Sequence, residues 1–452
     1  MTEAARGPKR SGARRAGQLL AALLVVALIE NVAAWAYVLK RAVAEQPFPD
    51  LLMQYNVLKP WASRFPDQFP FPPEWRSLYV GDIESPTIAS RWWVGDPLIG
   101  HRPAKNALVS ENNWSYRRSN AQGFVITEAD APTYATEPPA DVFRIVVFGG
   151  STVEGNGASG SLTALPAQLL AVLRNGYAPT EPDRSRFELI NAGVSGFTSA
   201  NEYLYYASEV HHLHPHLVIS YGGWNDQQVE NMILARHGLD VPRLATIEYW
   251  EYVQIINGHF RWMPTAGNMW VRTVIATVQQ LRGFALFDAV ARVAKKLGPQ
   301  TGAAGQESLA DAYFSQSVDR YVERITLMNL AVRADGGRHA WMLQPLVGVG
   351  NHPPSAFRER AFIDAFPARM QNRRTFYAGA HAAIESVQRE LGTEGVCAAD
   401  LSDVFDDNPA TVYDDGGHLN DEGNRIVATR LARELSRCGL IRPKLTDMTT
   451  AR

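Results

Sequence analysis

The middle of the chain alternates short apolar runs with longer amphipathic stretches. The first run, residues 145–148, ends at Gly149 and Gly150, and two later runs also stop at glycine-bearing loops. Short runs of this kind that end at turn residues are typical of buried strands. The strands predicted in this way are residues 145–148, 187–191, 217–221, 339–343 and a last strand within 396–405.

Helices are predicted between successive strands. Pro166 suits the first turn of one helix, and Ser199 with Glu202 forms a Ser-x-x-Glu capping box at the start of the next. The predicted helices are residues 163–175, 199–211, 315–334, 356–391 with a break at Pro367, and 421–437, which Gly439 terminates. Strands that alternate with helices predict a doubly wound parallel sheet whose loops open at one edge.

A long apolar segment precedes this pattern. Residues 19–38 are apolar apart from Glu30 and Asn31, a length that crosses the hydrocarbon core of a bilayer as a helix. Residues 1–16 carry five basic side chains and one acidic side chain, so we expect the amino terminus to stay in the cytoplasm. The alternatives are a signal peptide cleaved after Ala42-Val43-Ala44 and a buried helix of a soluble protein.

Two regions depart from the alternation of strands and helices. Residues 41–142 begin as a proline- and aromatic-rich linker and continue as a small strand-and-loop extension, for which we predict only a structural role. Residues 227–310 form an insertion directly after the third strand, with a helix predicted at 271–297. The insertion is interpreted as a lid, as a surface facing the membrane, or as an insert that packs its aromatic residues into its own core.

Composition and charge argue against several classes of function. The chain has 452 residues, of which 46% are hydrophobic and 20% charged, the balance of an ordinary globular protein. The net charge of -2 provides no general attraction for nucleic acid, and no P-loop or Gly-x-Gly-x-x-Gly motif follows a strand. Cys397 and Cys438 are too few for a four-thiolate zinc site, and they either form one disulfide or remain two buried thiols. We therefore predict no nucleic-acid partner and no cofactor.

The candidate nucleophile is Ser151, directly after Gly149 and Gly150. A serine in this position stands at the carboxyl end of a strand, where open α/β sheets bind their ligands. Glycines leave room for the backbone to approach a substrate. A serine hydroxyl is a weak nucleophile by itself, so this hypothesis also requires a base and oxyanion donors. By itself, Gly-Gly-Ser-Thr is equally well a plain turn.

A candidate base lies just before the last predicted helix, in Asp415-Gly416-Gly417-His418. An aspartate three residues before a histidine can accept the Nδ1 proton, which turns Nε2 of His418 toward the serine. The same carboxylate would stabilise the imidazolium that forms when His418 takes the Ser151 proton. Taken alone, Asp-x-x-His is a common turn sequence.

Two further features are given structural interpretations. The four histidines of 211–216 straddle a helix end and a strand start, so their side chains need not converge, and we predict no metal site. Asp226 is interpreted as a helix cap rather than as a catalytic group.

Four segments in order resemble the four motif blocks of the SGNH (GDSL-type) hydrolase family. They are Gly-Gly-Ser-Thr at 149–152, Asn-x-Gly-x-x-Gly-x-Thr at 191–198, Gly-x-Asn-Asp at 223–226 and Asp-x-x-His-Leu at 415–419. The first block departs from the Gly-Asp-Ser-Leu of the family at Gly150 and Thr152. This departure makes the substrate harder to infer from the family, but it affects the predicted fold less. The resemblance covers residues 143–437 or so, and the joint match is more specific than any one block.

The resemblance implies a role for each matching residue. Ser151 would be the nucleophile and, through its amide, an oxyanion donor, while Asp415 and His418 would complete the triad. Gly196 would be the second amide donor, or would serve only the turn, and Asn225 would be the side-chain donor. The implied fold is a three-layer α/β/α sandwich with a parallel sheet of flavodoxin-like type, preceded by a transmembrane helix.

The implied protein is a membrane-anchored, bacterial-type serine esterase that acts on O-acetyl or short acyl esters of a carbohydrate or lipid. The alternatives are an O-acyltransferase that moves the acyl group to a glycan hydroxyl and a non-enzymatic glycan-binding domain. The catalytic domain is expected in the periplasm or at the cell surface. The predicted domains are a basic cytoplasmic tail at 1–16, a transmembrane helix at 17–40, the linker and extension at 41–142, the hydrolase domain at 143–440 and a tail at 441–452.

Overall fold

The structure is a computed structural model that describes residues 11–43, 92–112, 115–237, 242–246, 284, 304–353, 363 and 367–444. The chain groups into two compact units. One unit comprises Met1–Ile83 and Thr265–Thr301, and the other Glu84–Pro264 and Gly302–Arg452. The predicted helix at 271–297 and most of the insertion at 227–310 lie outside the described residues.

The first unit contains helix α1 (Ser11–Val43). Within it, Gly17–Ala36 is long and apolar enough to cross a membrane, by length and composition. Most of its large apolar side chains, among them Leu19, Leu24 and Leu28, are more than half exposed. Apolar side chains on the outside of a helix favour a lipid environment over water.

The second unit begins with two antiparallel strand pairs and then forms a parallel sheet. The pairs are β1 (Trp93–Asp96) with β2 (Gly100–Pro103), and β3 (Leu108–Asn112) with β4 (Ser115–Arg118). The sheet strands are β5 (Val142–Gly149), β7 (Arg186–Asn191), β8 (Leu217–Gly222), β9 (Arg338–Leu343) and β10 (Cys397–Asp400). Strands β6 (Tyr177–Pro179) and β11 (Ile441–Pro443) form a separate antiparallel pair.

The sheet is parallel throughout, in the order β10-β9-β8-β5-β7. Counted from its first strand, this is the flavodoxin-like order 2-1-3-4-5, in which the direction of winding reverses between β5 and β8. Ligands of such sheets bind at the carboxyl ends of the strands beside that reversal. The motif loops after β5 and β8 lie at this point.

Helices cover both faces of the sheet. They are α2 (Ser151–Glu154), α3 (Leu165–Gly176), α4 (Ser199–Ser208), α5 (Trp224–His237), α6 (Ala304–Ala334), α7 (Pro367–Gly395) and α8 (Asp421–Arg437). Successive strand residues point to opposite faces. Ile145 and Val147 therefore join one core with α3 and α8, whereas Val146 and Phe148 join another with α4 and α6. The predicted three-layer α/β/α sandwich with a parallel sheet is confirmed.

Several predicted boundaries need correction. The capping box of α4 lies one residue earlier than predicted, because Thr198 is the N-cap and Asn201 its partner, with Thr198 N–H donating to Asn201 Oδ1 at 3.0 Å. Helix α6 begins at Ala304, well before residue 315. Helix α7, predicted at 356–391, is described from Pro367 to Gly395 and so extends four residues past its predicted end. Most of the segment before Pro367 lies outside the described residues.

A disulfide links the end of the last helix to the sheet. Cys397 of β10 and Cys438, just after α8, form a disulfide, which decides between the two alternatives left open by the sequence. Helix α8 has the predicted bounds, and the side chain of Asn420 caps it by accepting from the N–H of Gly423 at 2.9 Å.

Candidate active site

Ser151 lies in the tight turn at the carboxyl end of β5. All residues of β5 are buried, and the chain passes through Gly149 and Gly150 into the short helix α2. A Cβ at Gly149 would lie 2.4 Å from the carbonyl oxygen of Tyr221, and one at Gly150 would lie 2.3 Å from Nδ2 of Asn225. The Tyr221 backbone cannot give way, so the turn requires glycine at 149, whereas a side chain at 150 would displace the amide of Asn225.

Ser151 belongs to a hydrogen-bonded chain with His418 and Asp415. Nε2 of His418 is 2.7 Å from Oγ of Ser151, and Nδ1 is 2.6 Å from Oδ2 of Asp415. Because a carboxylate only accepts, Nδ1 carries the imidazole proton and donates it to Asp415. Nε2 is then the acceptor for the Ser151 hydroxyl. The fold thus brings a serine and a histidine 267 residues apart in sequence within range of proton transfer.

Local hydrogen bonds orient His418 within its loop. The second carboxylate oxygen of Asp415 accepts from the backbone N–H groups of Gly417 at 2.9 Å and His418 at 2.8 Å. Arg373 of α7 donates to the carbonyl oxygen of Gly416 at 2.7 Å. These hydrogen bonds hold the loop, and with it the imidazole, in place.

The two titrating groups shift each other's pKa in opposite directions. Partial burial by itself would raise the pKa of Asp415, but the charge of His418 and the N–H donors outweigh it and lower that pKa to about 2. Burial by itself would lower the pKa of His418, but the charge and hydrogen bond of Asp415 outweigh it and raise that pKa above its usual value. Asp415 is thus ionised across the ordinary pH range, and His418 is the group that titrates there.

The pH profile of ester hydrolysis should follow His418. A base must be neutral to take the Ser151 proton, so activity falls as pH drops through the pKa of His418. Since that pKa is raised, we expect the midpoint of the acid limb of kcat/KM above the ordinary histidine value of about 6.5. Initial rates measured from pH 4 to 9 check this. A midpoint well below that value would contradict the assigned pair.

The two remaining predicted residues are Gly196, on the loop that follows β7, and Asn225, in the first turn of the helix that follows β8. Gly196 has φ +81°, a conformation that favours glycine. Asn225 is the second residue of α5, and its Nδ2 donates to the carbonyl oxygen of Phe197 at 2.9 Å. The same nitrogen lies against Gly150 and carries a second N–H that can donate to a substrate oxygen. Asn225 and the carbonyl of Phe197, the residue after Gly196, therefore lie against the turn of Ser151.

Trp224 forms an aromatic wall beside His418. The two rings meet edge to face with centroids 4.9 Å apart. The guanidinium of Arg373 lies 5.6 Å from the centroid of the Trp224 ring, within the range of a cation–π contact. A partly exposed indole at this position offers substrate an apolar surface.

A buried carboxylate below the nucleophile was not identified from the sequence. Glu154 ends helix α2 and is fully buried. Its Oε1 accepts from Trp92 Nε1 at 2.6 Å and from Arg117 at 2.6 Å. Its Oε2 accepts from Trp93 Nε1 at 3.2 Å and from the backbone N–H of Ser195 at 2.5 Å. One carboxylate thereby joins the nucleophile helix, the extension before the sheet, and the loop of Gly196.

This cluster changes the interpretation of the extension. We predicted only a structural role for residues 41–142, yet three of the four donors to Glu154 belong to that region. The available signal was a lone acid three residues after the serine, in a stretch otherwise made of glycine, threonine and valine. A carboxylate that faces the core at this position requires hydrogen-bond donors. No specific role was predicted for Trp92 and Trp93, whose indole N–H groups are such donors.

Asp226 is buried and caps a helix other than its own. It lies in the first turn of α5, and its Oδ1 accepts from the N–H of Ser199 at 3.0 Å and from its hydroxyl at 2.5 Å. Ser199 is the first residue of α4, so the predicted cap role applies across the two helices. Among the histidines at 211–216, the rings of His211 and His212 lie against each other with centroids 3.8 Å apart. The other two have different neighbours: Nδ1 of His216 accepts from the N–H of Arg144 at 2.9 Å, and His214 lies 3.2 Å from Glu137.

Neither a protein-family model nor a curated protein matches the sequence. Among solved structures, the chain is similar to the acetylxylan esterase Axe2 from Geobacillus stearothermophilus, with 14% identity over 65% of this chain and 93% of that one and a TM-score of 0.35. It is also similar to a lipolytic protein of the G-D-S-L family from Desulfitobacterium hafniense, with 11% identity over 65% and 99% of the two chains and a TM-score of 0.34. A two-domain esterase active on acetylated mannans matches with 11% identity over 66% and 49% and a TM-score of 0.32.

Proposed function

We propose that the chain is a membrane-tethered serine esterase of the SGNH type that hydrolyses acyl esters through an acyl-enzyme on Ser151. The observation that carries this proposal is the continuous chain from Ser151 through His418 to Asp415, at 2.7 Å and 2.6 Å. It lies at the carboxyl edge of the sheet, beside two glycine-bearing loops with N–H donors. A nucleophile, a base and an orienting carboxylate in that geometry are the requirements of acyl transfer.

The mechanism has two halves with the same proton carrier. Ser151 Oγ attacks the ester carbonyl as His418 Nε2 takes its proton, and the imidazolium then gives that proton to the leaving alcohol. Water enters, loses a proton to His418 and attacks the acyl-enzyme; the bond from the acyl carbon to Oγ then breaks, the acid leaves, and His418 returns the proton to Oγ of Ser151. In both halves Asp415 stabilises the imidazolium without taking a proton, in keeping with its low pKa of about 2.

Each half passes through a tetrahedral intermediate with a negative oxygen. The amides of Ser151 and Gly196 and the side chain of Asn225 are the proposed donors to that oxygen. Donors fixed before the reaction need no reorganisation as the charge develops. The bond from Asn225 Nδ2 to Phe197 supports such fixation.

Asn225→Ala should lower kcat by about 10²-fold or more and leave KM nearly unchanged, because a donor to the oxyanion acts mainly in the transition state. Asn225→Asp is the matched variant: it keeps the shape and replaces the donor with an acceptor, so its kcat should fall at least as far. Steady-state kinetics and thermal unfolding of both variants provide the measurement. Wild-type kcat in either variant would remove Asn225 from the oxyanion hole.

The acyl group is proposed to be acetyl or another short chain on a carbohydrate or lipid. The aromatic wall of Trp224 beside His418 suits a sugar ring or a short acyl group. Membrane tethering rests on α1, with its basic amino-terminal flank and exposed apolar side chains. The disulfide between Cys397 and Cys438 supports an oxidising, extracytoplasmic location for the catalytic domain.

The decisive experiment combines a probe of Ser151 with a panel of esters. The full-length protein in detergent is treated with a fluorophosphonate, and the labelled peptide is identified by mass spectrometry. The same preparation is assayed with acetylated sugars and fatty acyl esters, with and without an added sugar acceptor. Labelling of Ser151 with release of acetate supports the esterase, transfer to the added sugar would favour an acyltransferase, and no labelling of the folded protein would favour a binding domain.

A further inference from the structure

The peptide bond between Ser195 and Gly196 is the middle of a tight turn. The N–H of Phe197 donates to the carbonyl oxygen of Val194 at 3.1 Å and closes the turn. Gly196 is its third residue and has φ +81°. A positive φ at the third position is the mark of a type II turn, whereas a type I turn has a negative φ there.

The two turn types differ chiefly in how the central peptide is oriented. In a trans peptide, the carbonyl of Ser195 and the N–H of Gly196 point in opposite directions. Rotation of that peptide from the type II to the type I arrangement would therefore reverse the Gly196 N–H. The direction of this proposed oxyanion donor depends on what holds the Ser195 carbonyl.

Two buried side chains hold Ser195. Nε2 of His101, in β2, is 2.7 Å from the carbonyl oxygen of Ser195. Oε2 of Glu154 accepts from the N–H of Ser195. The imidazole is only 2% exposed and lies edge to face with Phe197 and Trp93, at centroid distances of 5.5 Å and 6.4 Å. Aromatic neighbours on this scale restrict the orientation of the ring.

The protonation state of His101 follows from its surroundings. Burial lowers the pKa of His101 to about 4, so the ring is neutral near pH 7. A neutral imidazole has one N–H, and a carbonyl oxygen only accepts, so Nε2 carries the proton. The ring is therefore a fixed donor to Ser195 throughout the pH range in which His418 acts as a base.

We propose that His101 is a positioning residue that locks the Ser195–Gly196 peptide in the orientation required of the oxyanion donor. This inference rests on the proposed esterase function and extends it, because His101 belongs to the extension before the sheet. The extension then completes the active site: Glu154 fixes the N–H of Ser195, and His101 fixes its carbonyl. Release of the carbonyl would let the central peptide rotate, and the oxyanion would lose a donor.

The test compares His101→Gln with His101→Asn in the full-length protein in detergent. The amide nitrogen of glutamine reaches about as far as Nε2 of histidine, whereas that of asparagine stops near Nδ1. With p-nitrophenyl acetate as the probe substrate, we expect kcat of His101→Asn to fall by about tenfold or more while KM changes little. His101→Gln should recover most of that loss. The acid-limb midpoint set by His418 should be unchanged in both variants.

Each other outcome overturns the inference. Equal kcat in both variants, whether high or low, would show that a donor at the reach of Nε2 is not what matters. Loss of the folded domain in both, measured by thermal unfolding, would make His101 a residue of stability rather than of positioning. Failure of the esterase proposal is recognised separately, because the wild-type protein would then neither hydrolyse the probe nor react with a fluorophosphonate.

Discussion

Ser151→Ala should abolish ester hydrolysis, with a fall in kcat of at least about 10⁴-fold. The reason is that no other described hydroxyl occupies the position 2.7 Å from Nε2 of His418. Without that oxygen, the base has no nucleophile to activate and no acyl-enzyme forms. The substitution removes one buried polar atom from a turn shaped by Gly149 and Gly150, so the fold should persist.

The measurement for Ser151→Ala is acetate release together with fluorophosphonate labelling, both of which should disappear. Ser208→Ala is the matched control, because Ser208 is exposed at the end of α4 and should leave both readouts unchanged. Retention of more than a small fraction of wild-type turnover in folded Ser151→Ala would sink the assignment of the nucleophile.

Asp415→Asn should lower kcat by up to about 10⁴-fold, through the tautomer of His418. An amide in place of the carboxylate can donate to Nδ1, which would leave the imidazole proton on Nε2. A protonated Nε2 cannot accept the hydrogen bond from Ser151. The loss of the negative charge should also change the pH dependence of the residual activity. The charge of Asp415 raises the pKa of His418, so the acid limb of the residual activity should move to lower pH than in the wild type.

Asp414→Asn is the control for this prediction. Asp414 is the neighbouring acid and also raises the pKa of His418 through its charge, although less than Asp415 does. Its loss should shift the acid limb slightly downward with little change in kcat. Kinetics of the two variants from pH 4 to 9 separate the effects. An Asp415→Asn enzyme with wild-type kcat would show that the carboxylate does not select the tautomer.

The sequence by itself determined the five strands of the parallel sheet and the candidate triad. Strand β5 and helix α8 were predictable because burial imposes a local pattern on them: a continuous apolar run ending at glycine, and a 3.6-residue period ending at Gly439. Ser151, Asp415 and His418 were identifiable because four motif blocks occur together and in order, although each block by itself is also an ordinary turn sequence. Their separation of up to 267 residues did not matter, since the parallel strand order brings the loops to one edge.

Only the tertiary structure decided what surrounds those three residues. The partners of Glu154, His101 and Arg117 are 37 to 94 residues away in the sequence, so no local pattern identifies them. A buried charge or imidazole is stable only where donors and acceptors converge on it, and convergence is a property of the packed chain. For the same reason, the sequence could name Gly196 as a turn glycine, but the direction of its N–H depends on a histidine from another sheet.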